Sequence, residues 1–411
     1  MTADQKRSLA IIFFTVFLDL VGFGIILPLT PYLAREFSAS PLQIGLLMAI
    51  FSFMQFLFSP FWGKLSDRFG RRPIILMSLV GAVCSYVIFA FSGTLALLFV
   101  ARGLAGFFAA NISAAQAYIA DITPRDKRSV GMGLIGAAFG LGFIMGPAIA
   151  GLTGPIGEYL GDKPPFGIQF SALVAAGLNA INFVLAYFML PETLKPNSKS
   201  AGSDRVGRLE SFTFIFKQPL LRSLFLIFFL ISLSMALMEV MVFPFVQDRF
   251  NWDYKLASIS FAYVGVVMVL TQGYFIRKWI PRFGEKKTLL FGLIAMALSF
   301  AGIGLSHSIL LLAIAMTLLA IGNGCMRPPI VGLASVIADE EEQGYVLGVM
   351  NSMGAIGRIV GPIIGGWLYQ EYSQGAPFYT SAAMAMISVL LFITIIKTLP
   401  NPQKADLSSF R

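Results

Sequence analysis

Residues 63–73 read Gly-Lys-Leu-Ser-Asp-Arg-Phe-Gly-Arg-Arg-Pro and lie between two long apolar runs, 42–62 and 74–92. This segment holds four cations and one aspartate, whereas the two flanking runs contain no charged residue. An α-helix needs about 20 apolar residues to cross the ~30 Å hydrocarbon core of a bilayer. The pattern therefore predicts two membrane-spanning helices joined by a short charged turn at the membrane surface.

The composition of the whole chain extends this pattern. Of the 411 residues, 57% are apolar and 12% are charged, whereas soluble domains contain about 25% charged residues. A mean hydropathy of +0.78 excludes a soluble enzyme and a disordered chain. One histidine, His307, and two cysteines, Cys84 and Cys325, leave too few residues for a catalytic triad, a zinc site or a disulfide framework. We expect no enzymatic activity, no cofactor and no bound metal.

Twelve apolar runs are long enough to span a bilayer, and we number the predicted helices 1 to 12 in chain order. Strands are excluded because the runs are too long and lack alternation of polar and apolar residues. The predicted fold class is an all-α integral membrane protein with twelve transmembrane helices. The runs are residues 9–31, 42–62, 74–92, 95–119, 129–153, 167–189, 222–246, 254–276, 288–305, 309–336, 344–369 and 377–398.

The positions of the basic residues predict the orientation in the membrane. Most of the 30 lysines and arginines fall in segments that share one side of the membrane with the N-terminus. Because cytoplasmic segments carry an excess of Lys and Arg, we expect both termini to be cytoplasmic. This distribution accounts for the net charge of +9 without a nucleic-acid partner.

The two halves of the chain resemble each other. Residues 31–37 (PYLAREF) are echoed by 244–250 (PFVQDRF), and residues 67–72 (DRFGRR) by 281–286 (PRFGEK). Paired six-helix halves are typical of transporters that place their site near the bilayer midplane, although other membrane proteins are doubled too. The predicted organisation is a six-helix bundle at 1–191, a cytoplasmic linker at 192–218, a second six-helix bundle at 219–398 and a cytoplasmic tail at 399–411.

The segment 63–73 resembles the loop after helix 2 of the major facilitator superfamily, G-x-L-x-D-R-x-G-R-R/K. A basic turn that only anchors the topology is the alternative, but it leaves Asp67 unexplained. The resemblance implies two pseudo-symmetric six-helix bundles and a conformational latch in which Asp67 binds the start of helix 11, near Gly344. A carboxylate at a helix N-terminus is favourable. The implied latch residues are Gly63, Asp67, Arg68, Gly70, Arg71 and Asp121.

The outer end of helix 5 carries the pattern G-x-x-x-G-P-x-x-x-G, at Gly142, Gly146, Pro147 and Gly151. Small residues in a membrane helix commonly serve close helix packing, which is the alternative interpretation. The pattern resembles the antiporter signature of the same superfamily. That resemblance implies that helix 5 bends, packs against helix 8 and favours export.

Two charged residues lie at similar depth in the first half. Asp19 is about 16 Å into helix 1, and Arg102 is about 12 Å into helix 4 from the other side of the membrane. Because an unpaired charge in the membrane is costly, we expect them to pair, either as a structural brace or as part of proton coupling. An aspartate in such a place can load and unload a proton as its surroundings open and close.

Residues 19–31 resemble the helix 1 signature of twelve-helix drug/proton antiporters, D-x-x-G-x-G-x-x-x-P-x-x-P. Arg102 with Gly106 resembles the helix 4 motif R-x-x-x-G of that group, and the chain resembles the tetracycline/proton antiporters within it. The chain departs from them in having no histidine within a span. Glu239, in helix 7, is a second candidate proton carrier, with a partner for a nearby arginine as the alternative. The candidate proton-coupling residues are Asp19, Glu239 and Arg102.

Polar residues at depth are candidates for substrate binding, with hydrogen bonding between helices as the alternative. Arg358 in helix 11 and Arg327 in helix 10 favour an anionic or metal-chelated substrate over a strictly cationic one. The candidate substrate-binding residues are Asn111, Gln272, Asn323, Asn351 and Arg358.

These observations predict a monomeric exporter whose partners are a small-molecule substrate, protons and the lipid bilayer. No nucleotide-binding loop is present to supply energy from ATP. The expected function is exchange of small hydrophobic or amphipathic compounds, such as drugs, for protons. A sugar or metabolite carrier and a lipid exporter on the same scaffold are the alternatives.

Overall fold

A computed structural model describes residues 3–123, 128–193, 218–338 and 343–400. Within these ranges every regular element is helical. Eleven of the helices in them are long and apolar enough to cross a membrane. The all-α membrane fold predicted from the apolar runs is therefore confirmed.

Each predicted run overlaps one helix, and most helices extend beyond the run. The helices of the first half are α1 Ala3–Glu36, α2 Pro41–Phe69, α3 Arg71–Ala90, α4 Leu95–Ile122, α5 Arg128–Leu160 and α6 Phe170–Met189. Those of the second half are α7 Pro219–Phe250, α8 Tyr254–Leu270, α9 Ile276–Gly304, α10 Ile309–Ile337, α11 Gln343–Glu371 and α12 Ala376–Ile395.

The helical stretch Tyr254–Gly304 contains both α8 and α9. At 1.5 Å per residue its 51 residues extend about 76 Å, more than twice the thickness of the hydrocarbon core. Gly284 interrupts it with φ 79° and ψ 162°, a conformation that side chains other than glycine rarely adopt. This stretch is consistent with two crossings of the membrane. The whole fold is therefore consistent with twelve transmembrane helices.

Local sequence explains several helix ends. Ser40 and Gln43 form a reciprocal capping box at the start of α2. Gly70, with φ 107°, ends α2 and begins α3, so the charged segment turns within a single residue. The helix α4 is interrupted at Ala110 and Asn111, between Leu95–Ala109 and Ile112–Ile122.

Contacts divide the chain into two compact units. Unit 1 comprises Met1–Ser203 with Val246–Gly265, and unit 2 comprises Asp204–Phe245 with Val266–Arg411. The first division, after residue 203, falls within the predicted linker at 192–218, but the end of α7 and most of α8 belong to unit 1. The predicted linker lies mostly outside the described residues, as does all of the predicted tail beyond Pro400.

Both units contain the same type of close helix packing. In unit 1, a Cβ at Gly146 of α5 would lie 2.5 Å from the Cα of Gly24 in α1. In unit 2, a Cβ at Gly361 of α11 would lie 2.6 Å from the Cβ of Ala236 in α7. Small residues therefore allow equivalent helices of the two repeats to approach closely.

Candidate functional site

The carboxyl group of Asp19 lies within unit 1 and is half-buried. It interacts electrostatically with Tyr86 of α3, whose side chain is 6% exposed. Three residues along α1, a Cβ at Gly22 would lie 3.0 Å from the ring of Tyr86. The face of α1 that carries Asp19 therefore packs towards α3 inside the unit.

The predicted ion pair between Asp19 and Arg102 is absent from the described part of the chain. The guanidinium of Arg102 lies 4.8 Å from the ring centre of Phe51 and 3.8 Å from the sulfur of Met48. Its Nε has no hydrogen-bond acceptor among the described residues, although the side chain is only 2% exposed. Arg102 thus contacts α2, although it and Asp19 both interact electrostatically with Tyr86.

Two asparagines of α6 lie against α1 and were not singled out from the sequence. Asn182 donates a hydrogen bond of 2.8 Å to the backbone carbonyl of Thr15, and Asn179 lies beside Gly22. Both are almost fully buried, and Oδ1 of Asn179 accepts no hydrogen bond from the described residues. The sequence feature that could have identified them is their polar character within the apolar run 167–189.

The charged segment forms a chain of ion pairs in unit 1. Arg71 bonds Asp67 at 2.5 Å and Asp121 at 3.2 Å, and it also donates to the hydroxyl of Ser66. Arg71 is buried, whereas Asp67 is half-buried and Asp121 is exposed. The structure thus brings Asp67, Arg71 and Asp121 together at the cytoplasmic ends predicted for α2, α3 and α4.

The other residues of this segment have different surroundings. Arg68 is exposed and lies 5.3 Å from the ring centre of Phe69. Gly63 is half-buried, near the hydroxyl of Ser113. The predicted binding of Asp67 to the start of α11, near Gly344, stays a prediction.

Glu192 is a further member of this cluster that sequence reasoning missed. Its carboxylate accepts hydrogen bonds from the backbone N–H groups of Arg71, at 3.0 Å, and Arg72, at 3.1 Å. Arg72 in turn donates to the carbonyl of Tyr187. The chain that leaves α6 is therefore fixed to the first turn of α3.

The glycines of α5 contact two different helices. Gly142, Gly146 and Pro147 pack against Leu20 and Gly24 of α1. Gly151 packs against the carbonyl of Lys255 and the side chain of Ser258 in α8. The predicted packing of α5 on α8 thus holds at Gly151, while the rest of the motif serves the approach of α1.

The end of α1 that faces away from these ion pairs contacts the end of α7. Arg35 makes a bidentate ion pair with Asp248 and a hydrogen bond of 3.2 Å to Gln247. The hydroxyl of Tyr32 donates to the backbone carbonyl of Trp252 at 2.9 Å. These contacts account for the inclusion of residues 246–265 in unit 1.

Three charged side chains of unit 2 lie in the interior of the apolar runs 222–246, 309–336 and 344–369. Glu239 of α7 is half-buried, whereas Arg327 of α10 and Arg358 of α11 are exposed. Arg358 interacts electrostatically with both Glu239 and Arg327. The structure therefore brings Arg358 near both Arg327 and the carboxylate of Glu239. Three helices each contribute one charged group to this region.

The candidate amides fall into two groups. Asn111 is buried and donates a hydrogen bond to the hydroxyl of Ser78, which links α4 to α3. In unit 2, Asn323 is half-buried and contacts the sulfur of Met268 at 3.2 Å. Gln272 lies in a π-helical turn, Thr271–Phe275, and Asn351 is exposed on α11. Asn111 therefore bridges two helices, whereas the other three lie in unit 2.

No group of three or more His, Cys, Asp or Glu side chains suited to a metal ion occurs among the described residues.

Comparison with known proteins adds independent evidence. A family model described as Major Facilitator Superfamily matches residues 12–282 and 273–411. The tetracycline resistance protein, class C, of Escherichia coli is 33% identical over 389 residues, covering 93% of this chain and 96% of that protein. Multidrug resistance protein 1 of Bacillus subtilis (strain 168) is 30% identical, covering 95% and 96%.

Among solved structures, the human organic anion transporter MFSD10 (TETRAN) matches with a TM-score of 0.69 at 26% identity, covering 95% of this chain and 100% of that one. The resemblance read from residues 19–31 and 63–73 is thereby confirmed. The family match extends over both repeats and the relatives cover nearly all of the sequence, so the chain belongs to the Major Facilitator Superfamily.

Proposed function

We propose that the protein exports small hydrophobic or amphipathic compounds in exchange for protons. Its family consists of transporters rather than enzymes, and relatives named for resistance to tetracycline and to multiple drugs support drug-like compounds as cargo. A bacterial inner membrane with both termini in the cytoplasm is part of this proposal.

Asp19 is the proposed proton carrier. The proposal rests on the surroundings of its side chain. The side chain is half-buried within a membrane-length helix and makes no ion pair among the described residues. An ionisable group at membrane depth is costly and commonly marks a proton or ion pathway. Without a cation bound to it, Asp19 is available to bind and release a proton as water reaches it or is excluded.

Arg102 and Glu239 have supporting roles in this proposal. Arg102 lies in the same unit as Asp19 and has an unused donor, so it can attract the Asp19 carboxylate when the helices rearrange. Glu239 is a second carboxyl group at membrane depth, with Arg358 as its electrostatic partner. Either arginine would favour the deprotonated state of its acid at the step that releases the proton.

The proposed movement is alternating access between the two sides of the membrane. The ion pairs of Arg71 with Asp67 and Asp121 and the capping of α3 by Glu192 would act at the cytoplasmic side. The contacts of Arg35 and Tyr32 would act at the outer side. We expect the two sets to break alternately.

The test uses the full-length protein in proteoliposomes with an imposed pH gradient. Uptake of a radiolabelled drug such as tetracycline into proteoliposomes with an acidic interior is measured, together with the collapse of the gradient. Wild type should couple drug movement to proton movement in the opposite direction. Asp19→Asn should abolish the drug accumulation that the gradient drives, because the amide cannot carry a proton.

Asp162→Asn is the matched control, since Asp162 is an exposed aspartate outside the helices. It should transport as wild type does. If Asp19→Asn retains full accumulation, or if no candidate drug responds to the gradient, proton-coupled export is wrong. Uptake of sugar under the same gradient would instead support a metabolite carrier, and phospholipid movement would support a lipid exporter.

A further inference from the structure

Three helices of unit 2 bring one acidic and two basic side chains into electrostatic contact. Glu239 belongs to α7, Arg327 to α10 and Arg358 to α11. Arg358 interacts with Glu239 attractively and with Arg327 repulsively. Groups from three helices can approach one another only on the side where those helices face each other.

The packing of α11 agrees with this orientation. Gly354 lies one turn before Arg358, and a Cβ there would be 3.5 Å from Nη1 of Arg358 and 3.7 Å from the ring of Phe228 in α7. Gly357 and Gly361, on the adjoining face, pack directly against α7. Arg358 therefore extends along the α7 side of α11, where a charged group avoids the several kcal/mol cost of contact with lipid.

The positive charge in this region exceeds the negative charge. Within the described residues, neither Arg327 nor Arg358 makes an ion pair or donates a hydrogen bond, although each guanidinium carries five N–H groups. Both residues nevertheless keep solvent-accessible surface. A single carboxylate, Glu239, faces two guanidinium groups, so the cluster lacks one negative charge.

Polar amides and apolar side chains surround this cluster. Asn323 lies one turn from Arg327, and Asn351 lies two turns from Arg358, so each shares a face with its arginine. A Cβ at Gly324 would lie 3.6 Å from Gln272, which occupies the π-helical turn. Such turns are frequent at functional sites. Phe228 and Met268 add an apolar surface beside the polar groups.

We propose that Arg327 and Arg358 form a subsite for the anionic group of an amphipathic organic anion. A carboxylate or sulfonate would accept paired hydrogen bonds from the guanidinium groups, as arginine and carboxylate commonly do. The amides and the apolar side chains would contact the rest of the molecule. Glu239 competes with the ligand for Arg358 while the subsite is empty. This inference rests on the proposed exporter function and narrows its substrate class.

The test measures equilibrium binding to the purified full-length protein in detergent. The probes are radiolabelled 2-naphthoate and its neutral amide, 2-naphthamide, which share size and shape but differ in charge. Wild type should bind the carboxylate at least about tenfold more tightly than the amide, a difference of about 1.4 kcal/mol. Arg327→Gln and Arg358→Gln should each remove most of this preference and leave amide binding unchanged, while Arg358→Lys should retain part of it.

Glu239→Gln distinguishes a binding role from a structural one. Because it removes the competing carboxylate, it should tighten 2-naphthoate binding, whereas damage to the fold would weaken binding of both probes. Arg277→Gln is the control, since Arg277 is an exposed arginine of α9 outside this cluster. Three results would each overturn the inference. Wild type could bind the two probes equally, wild type could fail to bind 2-naphthoate, or the arginine-to-glutamine variants could lose binding of the two probes equally.

Transport in proteoliposomes separates failure of this inference from failure of the proposed function. If 2-naphthoate is bound selectively but no pH gradient drives any substrate, proton coupling is wrong and the subsite stands. If a gradient drives neutral or cationic drugs while 2-naphthoate is not bound, the subsite is wrong and the exporter stands.

Discussion

Gly22 determines how closely Tyr86 and Asn179 approach the helix that carries Asp19. A Cβ at this position would lie 2.3 Å from Nδ2 of Asn179 and 3.0 Å from the ring of Tyr86. The absence of a side chain therefore allows α3 and α6 to place polar groups next to α1. The surroundings of Asp19 depend on this approach as much as on the acid itself.

Tyr86→Phe tests the contribution of the hydroxyl near Asp19. The substitution keeps the ring in place and removes one polar contact worth about 1.4 kcal/mol, so we expect a roughly tenfold lower initial rate of transport driven by a pH gradient. Tyr159→Phe is the control, because Tyr159 is 90% exposed. Equal rates for Tyr86→Phe and wild type would show that the hydroxyl does not take part in coupling.

Gly146→Ala tests the close packing of α5 on α1. The new Cβ would lie 2.5 Å from the Cα of Gly24, so backbone must move, and we expect a loss of about 1–3 kcal/mol in stability. Thermal unfolding in detergent should show a lower midpoint. Gly136→Ala, where no atom lies within 4 Å of the new Cβ, should leave the midpoint unchanged or raise it. Similar midpoints for both variants would contradict this account of the motif.

At the scale of helices, the N-terminus of α3 binds the chain that leaves α6. The first N–H groups of a helix have no partner within it, and an anion there also interacts favourably with the helix dipole. Glu192 accepts from two of these groups, and Thr193 donates to Asp121. The chain that follows α6 is thus part of the same cluster as Asp67 and Arg71.

Glu192→Gln should weaken this connection. The amide carries no charge and presents one acceptor instead of two, so we expect about 1 kcal/mol lower stability, comparable to the loss of a helix cap. The measurement is the midpoint of thermal unfolding in detergent, and Asp162→Asn controls for loss of an acid elsewhere. An unchanged midpoint would mean that Glu192 does not hold α3 in solution.

The packing of helices explains what could and could not be predicted from the sequence. Apolar length located the helices, and depth along a helix could be counted for Asp19 and Arg102. Which way a side chain faces depends on how helices pack, and in an apolar helix no hydrophobic stripe reveals it. For that reason the equal depths of Asp19 and Arg102 did not reveal that Arg102 contacts Met48 and Phe51 in this structure. The capping of α3 by Glu192, about 120 residues away in the chain, had no local signal.

At the scale of the whole molecule, the repeats account for the recurring packing and for one unusual contact. The helices α1 and α5 of the first repeat, and α7 and α11 of the second, approach through glycines. Aligning 31–37 with 244–250 places Arg35 opposite Asp248, and these two residues form the ion pair near the end of α1. The motifs of the two halves predicted the doubled architecture, but not that equivalent positions would touch.

Reversal of this ion pair tests its importance. Arg35→Asp should lower both the unfolding midpoint and the transport rate, because two aspartates would then face each other. The loss of stability should be about 1 kcal/mol, since both side chains are partly exposed. The double variant Arg35→Asp with Asp248→Arg should recover most of the loss. If the double variant is no better than the single one, the electrostatic attraction is not what joins these residues.

The contact between Arg35 and Asp248 also bears on the ancestry of the chain. Two identical subunits related by a two-fold axis would set the same residue against itself at this place, where like charges repel. Opposite charges at matched positions require that the copies differ. An unfused ancestor with identical halves would therefore have lacked this pair, and the pair became possible once the halves could mutate independently.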